Sequence, residues 1–394
     1  MSALYGNLST EQQTLIAETR RIAAEALRPL AEAGAEGELN RPLLGALAEH
    51  GLLGRLFGLA EGTDDGAAPA ISAVELCLIR EALAIECTEA ETTFALQGLG
   101  SYPIVLAGGP ELVERWIGPV ARGEAVAAFA LTEPNAGSDV AAVEMTAERD
   151  GSDWRLSGEK TYISNAPGAD VYSIFARTSD TGARGLSAFA LPGDTPGLSG
   201  EAVDLLSPHP IGRIELDGAV VPGDHLIGEV DGGFRVAMRT LNLFRPSVGA
   251  FAVGMAQAAL DSAIEHARAR EAFGSPISEF QAVSHQIAEM ATRTQAARLL
   301  VKAAADATDR VGDASGGRPD PSEDPTALVA MAKVFATEAA QFVVDAAVQI
   351  HGARALEQGH LLEHLYREVR APRIYEGTSE IQREIIARSL LRGT

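Results

Sequence analysis

Basic residues are scarce beside acidic ones. The 32 Lys and Arg against 54 Asp and Glu leave a formal net charge of −22 and a pI near 4.8. Nucleic acid is held by basic surfaces that displace condensed counterions, so nucleic-acid binding is excluded and an anionic membrane surface is disfavoured. An anionic ligand has to be held by a few local groups. Cysteine is nearly absent. Cys77 and Cys87 lie in AVELCLIREALAIEC at neither a zinc nor a redox spacing. They read as inert core thiols in a reducing compartment. The most apolar stretch, Val248 to Leu260, is interrupted by Gln257 and falls short of the roughly 20 residues that span a bilayer. The start, MSALYGNLSTEQQ, has neither a basic n-region nor an apolar h-region. A cytoplasmic protein with no membrane partner is the expectation. Three fingerprints are also missing. No G-x-G-x-x-G follows a strand, since Gly98 and Gly100 in GLGSYP cannot complete one, and no G-x-x-x-x-G-K-[ST] or G-x-S-x-G occurs. A Rossmann site, a P-loop and a hydrolase elbow are thereby excluded.

What is present is an ordinary folding composition: 394 residues, 46% hydrophobic and 22% charged, enough for two or three cores. Up to about residue 124 the pattern is helical. Thr10-Glu11-Gln12-Gln13 has the form of a capping box, Leu15, Ile22, Leu27 and Leu30 recur at near-helical spacing, and Asn40-Pro42 starts a helix carrying Leu44, Leu47, Leu52 and Leu53. GTDDGAAP then breaks the pattern. From 125 to 232 the period becomes two. DWRLSGEKTYIS, DVYSIFART, GLSAFALP and GRIELDGAVVPG predict hairpins of an antiparallel sheet. From 233 to 394 the chain is helical again, with helices expected over Phe244–Arg268, over Phe280–Ala305 and from Ser379. A further one carries Met331, Phe335, Phe342, Ala346 and Ile350 on one face. GDASGGRPDPSEDP between two of these reads as a mobile surface loop. The fold class is α+β: an N-terminal helical domain, a middle antiparallel β domain and a C-terminal four-helix bundle.

Several segments could carry chemistry. His360-Leu-Leu-Glu363-His364 fits H-x-x-E-H, which on a helix puts two imidazoles on one face. A third ligand is not identifiable, and the pattern is also that of a polar helix face. ALTEPNAGSD (130–139) reads locally as a turn, and GEKTYISNA (158–166) as a hairpin corner. REAFGSPISEFQ (270–281) reads as a helix end with Gly274 at C′. QIHGA spans 349–353. YREVRAPRIYEGTSEIQREIIAR (366–388) ends in a helix start with a Ser379/Gln382 capping box.

In this order, within an α–β–α sequence, the last five segments resemble the acyl-CoA dehydrogenase family over nearly the whole chain. The resemblance implies FAD as cofactor and oxidation of an acyl thioester to its trans-2-enoyl form, with flavin N5 accepting the Cβ hydride. It places the base for the Cα proton at Glu376, beside Tyr375 and Gly377. The backbone N–H of Glu376 would help polarise the thioester carbonyl, in the manner of an oxyanion hole. Some relatives carry the base one residue before the arginine of LNLFRPS; here that residue is Phe244, so Glu376 has no competitor.

The flavin ring is assigned to Phe129, Ala130, Leu131, Thr132, Gly137 and Ser138, with Tyr162, Ile163 and Ser164 flanking it. Tyr162 stands where the family usually has Trp, and Ser164 where it often has Thr. Arg270, Phe273, Gln281, Gln349, Ile350 and Gly352 would reach the FAD of a neighbouring subunit, which implies a homodimer or homotetramer. Thr378 and Glu380 begin a helix whose N–H groups suit a phosphate or ribose. Ser138, Asn242, Arg245 and Gly377 match substrate-contacting positions, Asn242 replacing an Asp. An electron-transferring flavoprotein is the implied electron acceptor.

Two departures bear on the thioester carrier. QIHGARAL replaces QIxGGxGY, and LLSPHPI (205–211) lacks the polar side chains of K-x-G-x-R-x-S. An acyl-carrier-protein thioester is therefore an alternative substrate. Oxygen-using flavin chemistry on the same fold, a zinc hydrolase on His360, Glu363 and His364, and a silent binding subunit are the remaining alternatives.

Overall fold

The computed structural model describes residues 8–58, 71–207, 209–312 and 324–392. The GTDDGAAP break and most of the GDASGGRPDPSEDP loop lie outside them. The helices in chain order are α1 (Thr10–Ile22), continued by a π turn (Ala23–Leu27), α2 (Arg28–Glu32), α3 (Arg41–Glu49), α4 (Leu52–Arg55), α5 (Ala73–Glu86), α6 (Thr88–Ala107) and α7 (Pro110–Ala121). Strands follow: β1 (Ala127–Ala130), β2 (Thr146–Asp150), β3 (Asp153–Ser164), β4 (Val171–Arg177), β5 (Leu186–Pro192), β6 (Leu198–Ala202), β7 (Ile211–Val221) and β8 (Leu226–Ile227). Helix α8 (Gly233–Ala269), the short strands β9 (Glu271–Ala272) and β10 (Ser275–Pro276), α9 (Gln281–Gly312), α10 (Thr326–His351), α11 (Leu361–Glu368) and α12 (Ser379–Arg392) complete the chain.

Two compact units cut across this order. One gathers residues 1–25, 72–91 and 242–394; the other holds 26–71 and 92–241. In the first, α5 packs on α1 and α9, and α10 packs on α9, α11 and α12. In the second, an eight-stranded sheet runs β6-β7-β3-β2-β4-β5-β8, with β1 on β4. The alternating runs are the strands expected, because their apolar positions fall on one face: Trp154 and Leu156 of β3, and Ile214, Leu216, Ala219 and Val221 of β7, are buried. The sheet is not wholly antiparallel, however. β1 pairs with β4 in parallel, and Thr146 of β2 joins Arg177 of β4 the same way.

Several local expectations shift. The first capping box sits one residue earlier, on Ser9. Its hydroxyl accepts from Gln12 N–H at 3.2 Å, and the Gln12 side chain accepts from Ser9 N–H at 3.1 Å. Helix α8 begins at Gly233, eleven residues before Phe244, because Arg235, Arg239, Asn242 and Arg245 interrupt the apolar period without breaking the helix. On α10 the buried side within the chain is the small one, Ala332, Ala336, Ala339, Ala340, Val343 and Ala347, while Phe335 remains 41% exposed. Small residues let helices approach closely, so the side with large apolar residues is not the packed one. Gly233–Ala269 and Thr326–Leu356 are each long and apolar enough to cross a bilayer by length and composition. The apolar window of the first is 83% buried within the chain, as a core helix requires. Cys77 and Cys87 are buried, and burial pushes the Cys77 thiol far above its usual range.

Candidate active site

The segment Tyr375–Gly377 connects the turn after α11 to α12, and its backbone is unusual. Glu376 has φ +52° and Gly377 φ +92°, both in the left-handed region. A non-glycine residue there costs on the order of 1–3 kcal/mol and persists only when its surroundings hold it. Buried side chains from three helices supply that hold. Lys333 Nζ of α10 donates to the Tyr375 carbonyl at 3.0 Å and the Gly377 carbonyl at 2.6 Å. Arg245 Nε of α8 donates to the Glu376 carbonyl at 3.1 Å. Gln382 Nε2 of α12 donates to the Glu376 carbonyl at 3.2 Å and the Gly377 carbonyl at 3.0 Å. All three consecutive carbonyls are thus fixed from the protein side. A Cβ on Gly377 would lie 2.5 Å from Gln382 Nε2, so glycine is required here by this clamp as well as by φ.

The Glu376 side chain is handled differently. Its Oε2 is buried with no hydrogen-bond partner among the described residues. Burial raises its pKa above the ordinary 4.5, opposed by the nearby cations Arg80, Arg245 and Lys333. Arg80 is itself buried, paired with Glu91, donating to Ser247 Oγ at 2.6 Å and lying 6.0 Å from the Phe251 ring centroid. Burial pushes Lys333 down to about 8 and Tyr375 well above 10.

The raised carboxyl has a signed consequence for stability. Between 4.5 and the raised value the folded chain binds more protons at Glu376 than the unfolded chain does. The group therefore stabilises the fold fully only below 4.5, and that contribution is lost as pH rises through the folded value. Glu376→Gln should melt above the wild type at pH 7, with the gap closing at or below pH 4.5. Calorimetry at the two pH values checks this, and a variant no more stable than wild type at pH 7 would contradict it.

The expected capping box at the start of α12 is corrected. Thr378 is the cap, its hydroxyl accepting from Ile381 N–H at 3.3 Å, while Ser379 turns inward to Glu338 at 2.8 Å and Gln382 serves the clamp. Gly274 is not a helix C′ residue either. Phe273 (φ +53°) and Gly274 (φ +88°) form the two-residue turn of the β9–β10 hairpin, where both positions need positive φ. That turn leaves Phe273 99% exposed, edge-on to Phe280 at 6.1 Å. His266, one turn before Arg270, stacks on His351 at 4.2 Å, which brings the ends of α8 and α10 together. Arg270, Gln349 and Gly352 are exposed there, Ile350 is half-buried, and Gln281 is exposed at the start of α9. Thr378 and Glu380 belong elsewhere: Glu338, which holds Ser379, precedes Gln349 by roughly 16 Å along α10.

The H-x-x-E-H residues turn to separate tasks. His360 caps α11 by accepting from Leu362 N–H, Glu363 pairs with Arg367 at 2.7 Å, and His364 meets Thr88 at 2.6 Å. Among the described residues no group of three His, Cys, Asp or Glu is placed to hold a metal. Of the proposed substrate contacts, Asn242 Oδ1 is occupied by Arg245 Nη1 at 2.8 Å, and Arg245 is buried in the clamp.

In the strand unit, Phe129 to Thr132 leave the end of β1 beside the end of β3. Thr161 N–H donates to the Thr132 carbonyl at 3.0 Å, which ties the two segments together. Under them lies a buried pair. Lys160 Nζ donates to Glu133 Oε1 at 2.7 Å and to the Leu131 carbonyl at 3.1 Å, while Glu133 accepts from Glu144 N–H at 2.6 Å and Met145 N–H at 3.0 Å. Tyr162 projects outward, 59% exposed at φ +55°, and Ser164 is half-buried. The side chains of Ala130, Leu131 and Ile163 are in the core, so those residues offer a ligand their backbone only. Gly137 and Ser138 are exposed on the following turn.

Lys333, Gln382, Arg80, Lys160 and Glu133 were not singled out from the sequence as site residues. The signal existed in one case: Lys333 is a lone charge on the alanine-rich side of α10.

Comparison with known proteins places the chain. Residues 9–124, 128–218 and 231–391 match the acyl-CoA dehydrogenase N-terminal, middle and C-terminal domains. The chain is similar to cyclohexane-1-carbonyl-CoA dehydrogenase of Geobacter metallireducens, 34% identical over 98% of each chain. It is also similar to the caffeyl-CoA reductase–Etf complex subunit CarC of Acetobacterium woodii, 38% identical over 75% of this chain and 76% of that one. Among solved structures, PigA with FAD and proline superposes with a TM-score of 0.88 at 28% identity, over 98% of this chain and 100% of that one. The chain belongs to the acyl-CoA dehydrogenase family of flavoprotein oxidoreductases, whose cofactor is FAD.

The residues present fit a flavin. Tyr162 is an aromatic face held outward in a strained conformation. The N–H groups of Thr132, Gly137 and Ser138 donate to no acceptor among the described residues, which suits them to ring oxygens. Tyr162, Phe273 and Glu376 are three of the five described non-glycine residues with positive φ.

Proposed function

We propose that this chain dehydrogenates an acyl-CoA thioester at Cα–Cβ to the trans-2-enoyl-CoA, with Glu376 as the base that takes the Cα proton. The observation that carries this reading is the buried, unpartnered Glu376 carboxylate oxygen on a loop whose three carbonyls are all clamped. Such an oxygen is costly unless something binds it, and a substrate Cα–H is the group this chemistry provides. Burial raises the carboxylate's affinity for a proton, and the nearby cations Arg80, Arg245 and Lys333 oppose that rise. The Glu376 N–H donates to no acceptor among the described residues and is available to a thioester carbonyl oxygen. A hydrogen bond there acidifies the Cα–H and stabilises the enolate-like transition state, so one residue serves as base and as oxyanion donor. FAD, when bound, supplies the two-electron acceptor for the Cβ hydride.

Phe273, almost wholly exposed, supports a neighbouring subunit as its partner and hence a homodimer or homotetramer. The name of the CarC relative supports an electron-transferring flavoprotein as the electron acceptor. Anaerobic titration of the purified yellow protein with butyryl-, isobutyryl-, cyclohexane-1-carbonyl- and 3-phenylpropionyl-CoA tests the reading. Bleaching by one class supports it and names the acyl group. A flavin untouched by every acyl-CoA but bleached by an acyl-carrier-protein thioester would replace CoA as the carrier.

A further inference from the structure

Among the described residues, Lys333 is the one buried side chain that grips the carbonyls on both sides of Glu376, and nothing in the base-and-flavin chemistry assigns it a task. It is completely buried on α10, and no carboxylate among the described residues lies within ion-pair distance. Its acceptors are the Tyr375 carbonyl at 3.0 Å and the Gly377 carbonyl at 2.6 Å. A trans peptide is planar with C=O and N–H antiparallel, so fixing the Tyr375 carbonyl fixes the Glu376 N–H pointing the opposite way. The ammonium that holds this plane thereby aims the oxyanion donor away from itself. Its second bond, to Gly377, fixes the following turn and with it the direction in which the Glu376 side chain leaves the backbone. Arg245 and Gln382 share only the Glu376 and Gly377 carbonyls; neither touches the carbonyl of Tyr375.

We infer that Lys333 is a positioning residue for the reaction, which orients the Glu376 N–H and carboxylate together. This deepens the proposed function and rests on Glu376 being the base. The charged and titratable groups facing Lys333 are Glu376 on the loop, Arg245 on α8, Glu338 on its own helix and Glu380 on α12. Glu338 is already held by Ser379, Arg373 and Arg383. Glu376 is then the acid whose ionisation Lys333 governs most directly, and each charge favours the other. A plain structural lysine would affect folding and cofactor retention. A positioning lysine also affects the chemical step at constant substrate affinity.

The test uses the full-length, FAD-loaded enzyme with whichever acyl-CoA of the panel turns over fastest. In Lys333→Met, kcat is expected to fall roughly 10- to 100-fold per FAD bound, with KM within about 3-fold, because the lost contacts act in the transition state. The acid limb of its pH profile should move upward, since removing the ammonium raises the Glu376 pKa. In Lys333→Arg the charge persists, so the acid limb should stay at the wild-type position. The wild type is expected to lose kcat as pH rises through the region near 8 where Lys333 titrates. Arginine, which does not titrate there, should abolish that fall. Should Lys333→Met fail to retain FAD, the alkaline limb of Lys333→Arg decides the matter. The inference is overturned if Lys333→Met keeps wild-type kcat and acid limb per FAD, or if Lys333→Arg keeps the wild-type alkaline fall. A Glu376→Gln enzyme that remains active would remove the underlying reading instead. An inactive Glu376→Gln beside an unchanged Lys333→Met would remove the role of Lys333 alone.

Discussion

Glu376→Gln is expected to retain FAD and the fold while kcat/KM for the acyl-CoA falls by roughly 10²–10⁴-fold or more, the range assigned to a general base. The substitution is nearly isosteric. The carbonyls of Tyr375, Glu376 and Gly377 stay in the hands of Lys333, Arg245 and Gln382, because those bonds involve the backbone only. The Glu376 N–H also stays in place, so substrate binding should change little and the loss should fall on kcat. What disappears is the one oxygen able to take the proton; a neutral amide has no comparable basicity. Steady-state kinetics with an artificial electron acceptor measures the loss. Activity within a few-fold of wild type would mean that another group takes the proton.

Breaking the buried pair in the strand unit is expected to be the most destructive change to the fold. Lys160 is wholly buried, and burial holds its pKa down at about 8 even beside Glu133. Lys160→Met leaves the Glu133 carboxylate buried with two backbone N–H donors and no cation. Uncompensated buried charges of this kind cost about 3–5 kcal/mol. The damage does not stop at stability, since Lys160 also holds the Leu131 carbonyl and Glu133 organises the turn through Glu144 and Met145. The segment Phe129–Thr132 should loosen, and FAD should dissociate at urea concentrations where the wild type keeps it. Replacing both partners, Glu133→Gln with Lys160→Met, should recover part of the loss because no charge is stranded. Urea unfolding followed by flavin and tryptophan fluorescence measures all three proteins. An unchanged midpoint in Lys160→Met would contradict the account.

The two substitutions also mark what could be read from the chain. Strand β3 was legible residue for residue, because DWRLSGEKTYIS alternates and one face must be buried. YEGTSEIQR pointed to Glu376 because its resemblance is specific. The clamp was not legible. Lys333 precedes Tyr375 by more than forty residues, and Arg245 by 130; only the packing of α8, α10 and α12 brings their donors to one loop. The positive φ of Glu376 is likewise a tertiary effect, since local preference opposes it. The start of α8 is hidden in the sequence because charged residues interrupt its apolar period, and the packed side of α10 because alanines carry little hydropathy yet set how closely helices approach. In the strand unit the core positions of Ala130, Leu131 and Ile163 reduce three expected cofactor contacts to backbone contacts, a distinction sequence spacing does not contain.

The most direct test of the account is exchange at the substrate carbon itself. Incubated anaerobically in deuterium oxide with a bound, unreactive-at-Cβ acyl-CoA, the wild-type enzyme should introduce deuterium at Cα, as read by mass spectrometry, while Glu376→Gln should not exceed the rate without enzyme. Equal exchange in the two proteins would show that Glu376 does not take the proton, and the proposed mechanism would fall.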